Sequence, residues 1–92
     1  MEAVVAASGT GDVQISTSKP TKLCGWSVKE DAAGAATLVF RNGTGTGDPI
    51  VAVVNLAASA SNNHACLRPI VCTNGLFLDR LTGTTTVVAY LE

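Results

Sequence analysis

Residues 24–30 read Cys-Gly-Trp-Ser-Val-Lys-Glu, and residues 37–43 read Thr-Leu-Val-Phe-Arg-Asn-Gly. In the first segment Cys24, Trp26 and Val28 alternate with small or polar residues, which places an apolar row on one face of a β-strand. A turn of small residues separates the two segments, and an Asn-Gly pair follows the second. The pattern predicts a β-hairpin in which the only tryptophan and Cys24 both face the core.

The rest of the chain divides into similar short apolar runs separated by turn residues. Valine and threonine are abundant and proline is rare, a composition that favours pleated, half-buried surfaces. We predict an all-β fold with about seven or eight strands, arranged as a single antiparallel β-sandwich that is jelly-roll-like. The predicted strands cover residues 13–16, 21–29, 36–41, 49–56, 64–71, 76–81 and 85–91, and one helical turn is possible only over residues 57–62.

The turn residues and the amino terminus complete the predicted organisation. Asn42-Gly43, Asn74-Gly75 and Thr82-Gly83 tolerate positive φ, and such short connections predict that the strands on either side are antiparallel neighbours. Residues 1–11 are small and polar, so we predict an extended amino-terminal arm over 1–11 and a sandwich domain over 12–92.

Size and composition bound the functional classes. A chain of 92 residues whose apolar side chains are mostly small builds a thin core, so a partner or oligomerisation is expected to add stability. A net charge of −1 without a basic stripe argues against nucleic-acid binding. The amino terminus has no features of a secretory signal, and no run approaches the length of a membrane span, so we expect no membrane association.

Few residues suggest chemistry. His64, Cys66 and Cys72 are three potential zinc ligands without a fourth, so a solvent-facing histidine is the simpler reading, and the dispersed acids do not match a calcium loop. An odd number of cysteines without a C-x-x-C pair indicates a reducing compartment. One histidine with scattered carboxylates does not form a catalytic group. We therefore predict no enzyme, no metal and no cofactor.

A resemblance to a known class of proteins appears in several of these segments. They are the run from Cys24 to Glu30, the small turn over residues 32–36, Arg41-Asn42-Gly43, and Asn74-Gly75-Leu76-Phe77. Over residues 20–92 the chain resembles small virion proteins of tailed bacteriophages. It departs from that pattern in its Gly-Thr repeat over residues 42–48 and in its cysteines.

The resemblance implies a non-enzymatic structural protein of the virion, assembled in the host bacterial cytoplasm. The leading hypothesis is a capsid decoration (cement) protein, a trimer that binds and bridges the major capsid protein, with β-augmentation by the amino-terminal arm. A neck, tail or head-fibre component of the virion is the second hypothesis. A carbohydrate-binding adhesion module is the alternative from another class, although strand alternation favours a core position for Trp26 over a sugar-stacking one.

Five residues are the candidates for partner binding. Val4 and Val5 belong to the predicted arm, and Thr44, Thr46 and Asp48 belong to the Gly-Thr loop. Mobile loops and termini carry binding functions in many folds, which is why these positions are predicted to contact a virion partner.

Overall fold

The computed structural model describes the whole chain, Met1–Glu92, and consists of strands and connections without a helix. It has no helix that could cross a membrane. The strands are β1 (Glu2–Gly9), β2 (Val13–Ser16), β3 (Thr21–Glu30), β4 (Ala36–Asn42), β5 (Ile50–Leu56), β6 (Ser61–Cys72), β7 (Leu76–Thr82) and β8 (Thr85–Leu91).

The eight strands form two four-stranded antiparallel sheets. Sheet 1 has the order β1-β8-β3-β6, and sheet 2 has the order β2-β7-β4-β5. Every connection crosses from one sheet to the other except the one between β4 and β5. This is the jelly-roll arrangement, so the predicted all-β sandwich and its number of strands are confirmed.

The predicted hairpin between the tryptophan strand and its successor is wrong. β3 lies in sheet 1 and β4 in sheet 2, and Trp26 meets Phe40 across the sandwich with ring centroids 5.4 Å apart. Alternation reports which face of a strand is buried but not which sheet the strand joins. Residues 31–35 between these strands are long enough to span the roughly 10 Å between packed sheets.

The other turn predictions are right about the local backbone conformation but mostly wrong about which strands the turns join. Gly75 and Gly83 adopt positive φ values of 105° and 82°, which agrees with the predicted turn chemistry. Each nevertheless joins strands of different sheets, so the expected hairpins are absent there. Asn42-Gly43 is the only one of the three turns whose flanking strands are neighbours in one sheet, since β4 pairs with β5.

The position of Cys24 is a second correction. The register of β3 shifts between Leu23 and Gly25 against both of its neighbours, which marks a β-bulge. A bulge inserts one extra residue, so the inward row changes from odd to even numbers. Leu23 and Trp26 therefore point into the core, whereas Cys24 is half-buried and leaves the tryptophan row.

The amino terminus forms a strand instead of an extended arm. β1 pairs with β8 from Glu2 opposite Leu91 to Gly9 opposite Thr85, with a register shift between Ala6 and Gly9. Val4 and Ala6 alternate toward the core, which gives this segment an apolar row that the edge of β8 can bury. Residues 2–9 are thus part of the sandwich.

The segment over residues 57–62 is a turn and not a helix. The Ala60 N–H donates to the Ala57 carbonyl oxygen at 3.1 Å, Ser59 adopts a positive φ, and β6 begins at Ser61.

β6 also continues past Pro69, which an edge strand tolerates because one side of its backbone has no partner strand.

The core lies between the two sheets and is built mainly from small and medium side chains. Phe40 is its largest fully buried member. It contains sixteen buried residues: Ala6, Ile15, Leu23, Trp26, Val28, Ala36, Leu38, Phe40, Val54, Leu56, Cys72, Leu76, Leu78, Val87, Ala89 and Leu91.

Candidate functional site

The two flanks of the sandwich offer different surfaces. β1 and β2 are the edge strands at one flank, called here the pinned flank, and β6 and β5 are the edge strands at the other, called the open flank. Each edge strand has one row of backbone N–H and C=O groups that no neighbouring strand pairs.

The pinned flank is held by a buried arginine. Arg80 is 8% exposed. Its guanidinium donates to the carbonyl oxygens of Ala6 (3.3 Å), Ala7 (2.8 Å), Gly11 (3.1 Å) and Thr85 (2.9 Å) and to the Thr85 hydroxyl (3.2 Å). Burial lowers the pKa of Arg80, although a guanidinium stays charged in any protein. One side chain thus satisfies carbonyl groups of β1, where its pairing is irregular, of the connection to β2 and of β8.

The open flank has no comparable anchor and exposes apolar side chains. Four of the seven exposed large hydrophobic residues lie on its two strands: Ile50, Val53, Leu67 and Val71. β5 contains no charged residue and no proline, and it is seven residues long. Natural edge strands normally carry charged residues, prolines or bulges that block pairing with another chain. A strand without them, such as β5, leaves its edge open to pairing.

β6 differs from β5 in its local geometry. Its pairing with β3 runs from Ile70 opposite Leu23 to Ala65 opposite Gly25, so residues 66–69 have no partner in the register. Leu67 lies in this bulge and is 100% exposed. Pro69 and the bulge protect this half of the edge from strand addition, but Leu67 remains a bare apolar side chain.

A pocket lies on the outer face of sheet 1, beside β6. At its centre Gly25 stands between Tyr90 of β8 and Ala65 of β6. A Cβ on Gly25 would collide with the backbone carbonyl oxygen of His64, so this position requires glycine and leaves a dent in the sheet. The cavity of about 410 Å³, called here the Gly25 pocket, is lined by Met1, Cys24, Gly25, Trp26, Ser27, Asn63, His64, Ala65 and Tyr90.

The residues predicted to bind a partner are divided between distant elements. Val4 packs against the core, whereas Val5 is exposed on β1. Thr44 and Thr46 are exposed and Asp48 is half-buried in the connection between β4 and β5. β1 and this loop belong to opposite flanks, so the structure does not bring the predicted residues together.

Asp48 has an internal role. Its carboxylate accepts hydrogen bonds from the N–H groups of Thr44 (2.8 Å) and Gly45 (3.0 Å). Arg41 donates to the Asp48 carbonyl oxygen (2.8 Å) and to the Asp79 carboxylate (2.9 Å). The Gly-Thr loop is therefore tied back to sheet 2 through charged and backbone groups.

The potential zinc ligands have other surroundings. His64 is exposed, as predicted, and its ring stacks on Trp26 with centroids 4.7 Å apart. Burial raises the pKa of the Cys66 and Cys72 thiols, which disfavours the thiolate that binds metals or attacks electrophiles. No three histidine, cysteine or acidic side chains cluster closely enough to hold a metal ion.

Trp26 occupies the core position that strand alternation predicts. It is 8% exposed, and its indole N–H donates to Asn62 at 3.0 Å. The ring also packs against Phe40 and His64. A tryptophan in these contacts presents no open face for stacking on a sugar.

Glu30 is a buried carboxylate, although the sequence offers it only as one of several dispersed acids. It accepts hydrogen bonds from the N–H groups of Ser59 (2.8 Å), Ala32 (2.7 Å) and Gly34 (3.2 Å). The bond from Ser59 is the main cause that holds the pKa of Glu30 below its ordinary value, although desolvation opposes it. Its even number in the inward row after Trp26 and Val28 is the signal that could have located it.

Comparison of the chain with protein-family models, with curated proteins and with solved structures finds no match. The resemblance to phage virion proteins therefore stays a prediction.

Proposed function

We propose that this protein is a non-enzymatic structural protein of a tailed-phage virion, a capsid decoration (cement) protein that binds the shell of the major capsid protein. The observation that carries the proposal is the unprotected β5 edge of the open flank, with Ile50 and Val53 about half exposed. An edge of this kind favours association with another protein over an isolated existence.

The mechanism is strand addition to β5. A partner segment that lies along Ile50–Leu56 satisfies the free backbone groups of this edge and covers its apolar side chains. The same contact is repeated on every shell subunit, so many small contributions to the binding free energy add up around the particle. β1 does not serve as the added strand, because it already pairs with β8 of its own chain.

The use of the charged groups supports a structural role. Arg80, Glu30 and the Arg41–Asp79 pair are all engaged in hydrogen bonds that hold strands or loops together. Catalysis requires titratable groups that converge on a concave site and remain free to transfer protons. The Gly25 pocket contains one histidine and no carboxylate.

The test compares Val53→Lys with Leu81→Lys. Both residues are more than half exposed and lie in sheet 2, but Leu81 is on β7, away from the open flank. Each variant and the native chain are mixed with purified shells, and bound protein is quantified by mass spectrometry relative to the major capsid protein. We expect Val53→Lys to lose binding and Leu81→Lys to keep it, because only the first places a charge at the proposed contact.

The copy number in native particles distinguishes the virion roles. About one copy per major capsid protein fits a shell-wide cement protein whose contacts follow the symmetry of the shell. A ratio of a few per cent would indicate a neck, tail or fibre component, since those parts occur as rings or spikes. Absence from the particle would overturn the virion proposal.

A further inference from the structure

We propose that Asn74-Gly75 is a site of spontaneous deamidation and that the fold protects the same dipeptide at Asn42-Gly43 from this reaction. The inference rests on the surroundings of these two turns and does not depend on binding to a shell. It assigns a covalent modification to the Asn74 side chain and a consequence to the contact between the two turns.

The reaction needs an asparagine whose side chain can meet the backbone nitrogen of the next residue. That nitrogen gives up its proton and attacks the side-chain Cγ. A new N–Cγ bond closes a succinimide ring, and the Cγ–Nδ2 bond breaks, so the side-chain nitrogen leaves as ammonia. Water then opens the ring at either carbonyl carbon and yields aspartate or isoaspartate. A following glycine favours ring closure because it has no Cβ to hinder the attack, and the chain contains this dipeptide at Asn42-Gly43 and at Asn74-Gly75.

Hydrogen bonds hold both reacting groups of the first dipeptide. The Asn42 Nδ2 donates to the Thr73 hydroxyl (3.3 Å), and its Oδ1 accepts from the Asn74 N–H (2.8 Å). The Gly43 N–H, whose nitrogen would attack, donates to the Gly75 carbonyl oxygen (3.1 Å). These three hydrogen bonds, called here the clasp, also join the turn after β4 to the turn after β6. Ring closure at Asn42 would have to break the clasp.

The reacting groups of the second dipeptide are less restrained. Asn74 is exposed in the short connection between β6 and β7, and its side-chain amide has no hydrogen-bond partner in the chain. The Gly75 N–H donates to the Cys72 carbonyl oxygen at 3.4 Å, a long hydrogen bond. The Asn74 side chain and the Gly75 nitrogen are therefore freer to meet than the corresponding groups of Asn42 and Gly43.

Deamidation at Asn74 has a structural consequence when it yields isoaspartate. In that product the backbone runs through the former side chain and gains one carbon atom at position 74. Gly75 has little room to absorb the change, because even a Cβ on it would lie 2.8 Å from the Ser16 carbonyl oxygen. We expect isoaspartate to open the clasp, whereas aspartate, which leaves the backbone unchanged, should keep it.

The first test follows both asparagines in the intact chain at mildly alkaline pH, with peptide mass spectrometry to locate each product. In the folded chain we expect Asn74 to convert at least about tenfold faster than Asn42, because each hydrogen bond that must break before ring closure slows the reaction. In guanidinium chloride the two rates should become similar, since both asparagines then precede glycine in a flexible chain. Equal rates in the folded chain, a faster Asn42 or a stable Asn74 would overturn the inference.

The second test weakens the clasp. Thr73→Val removes the hydroxyl that accepts from Asn42 and keeps the branched shape of the side chain. We expect deamidation of Asn42 to become about twofold to fivefold faster, the effect of one lost hydrogen bond. Thr46→Val, the same change at an exposed threonine of the Gly-Thr loop, should leave the Asn42 rate unchanged. Equal Asn42 rates in the two variants would show that the clasp does not protect this residue.

The third test examines the product. Deamidation adds a negative charge, so ion-exchange chromatography separates the deamidated chain, and fragmentation in the mass spectrometer distinguishes isoaspartate from aspartate. Hydrogen exchange at the Gly43 amide should be faster in the isoaspartate form than in the native chain, and Asn74→Asp should retain the native rate. Native protection of Gly43 in the isoaspartate form would overturn the proposed opening of the clasp.

Discussion

The pinned flank and the open flank end the same two sheets in different ways. At the pinned flank, the guanidinium of Arg80 donates hydrogen bonds to carbonyl oxygens that the irregular pairing of β1 leaves free. At the open flank, the bulge in β6 has no such side chain, and Leu67 projects into solvent. One flank is thus closed by hydrogen bonds within the chain, and the other leaves apolar side chains exposed; the proposed function uses the second flank for association.

Glu30 marks where the open flank joins the rest of the fold. Its backbone N–H donates to Ala60, and its carboxylate accepts from Ser59, so it holds the turn that connects β5 to β6. Asp31, the next residue, accepts from Ser8 (2.8 Å) and Thr86 (2.5 Å) on the side of β1 and β8. Two consecutive acids at the end of β3 thus serve opposite flanks.

The largest expected effect is at Arg80. Arg80→Met removes the donor from four backbone carbonyl groups, and the hydrogen bonds to two of them, those of Ala6 and Thr85, are buried. At about 1–3 kcal/mol for each buried unsatisfied group we expect a loss of about 2–6 kcal/mol of unfolding free energy. The same change at Arg68, which is exposed on the open flank, should stay within about 0.5 kcal/mol. Urea unfolding followed by tryptophan fluorescence measures both. Similar values for the two variants would remove the distinction between the flanks.

An effect that depends on pH is expected at Glu30. Because its pKa is lower in the folded chain than in the unfolded chain, Glu30 stabilises the fold fully above the unfolded value of about 4.3. That stabilisation is lost as the pH falls through the folded pKa, since protonation then favours unfolding. Glu30→Gln should therefore be less stable than the native chain at neutral pH, and the difference should shrink in acid.

The control for this series is Glu2→Gln, which changes an exposed glutamate of the pinned flank. Urea midpoints from neutral pH down to about pH 3 should follow the native curve for this variant, because no folded-state contact is removed. As the pH is lowered, hydrogen exchange should also show that the backbone amides of residues 57–61 lose protection before those of β1. Loosening of both segments at one pH would mean that Glu30 acts on the whole fold.

The smallest expected effect is on the open flank itself. Val53→Thr keeps the β-branched shape of a side chain that is 56% exposed, so the unfolding free energy should change by no more than about 0.5 kcal/mol. Differential scanning calorimetry of the isolated chain checks this value. A loss above about 1 kcal/mol would show that Val53 supports the fold, and its edge would then be a poor candidate for partner binding.

Sequence periodicity located most strands because each one has a buried face. β2 and β8 have the predicted bounds, and Trp26 is in the core as its alternation requires. The arm prediction failed because small residues such as Ala3 and Ala7 resemble a disordered segment until β8 provides an edge to pair with. The exposed Leu67 of the open flank could not be singled out from the sequence, because it reads as an ordinary strand residue in a chain of similar apolar runs.

Local patterns alone determined the strand content, the positive-φ turns and the buried tryptophan, since each depends on neighbours within a few residues. The tertiary structure decided which sheet each strand joins, because that choice depends on contacts between distant segments, such as Trp26 with Phe40. It also decided the bulge that turns Cys24 outward and the bulge that leaves Leu67 bare, since a register shift arises only when two strands pair.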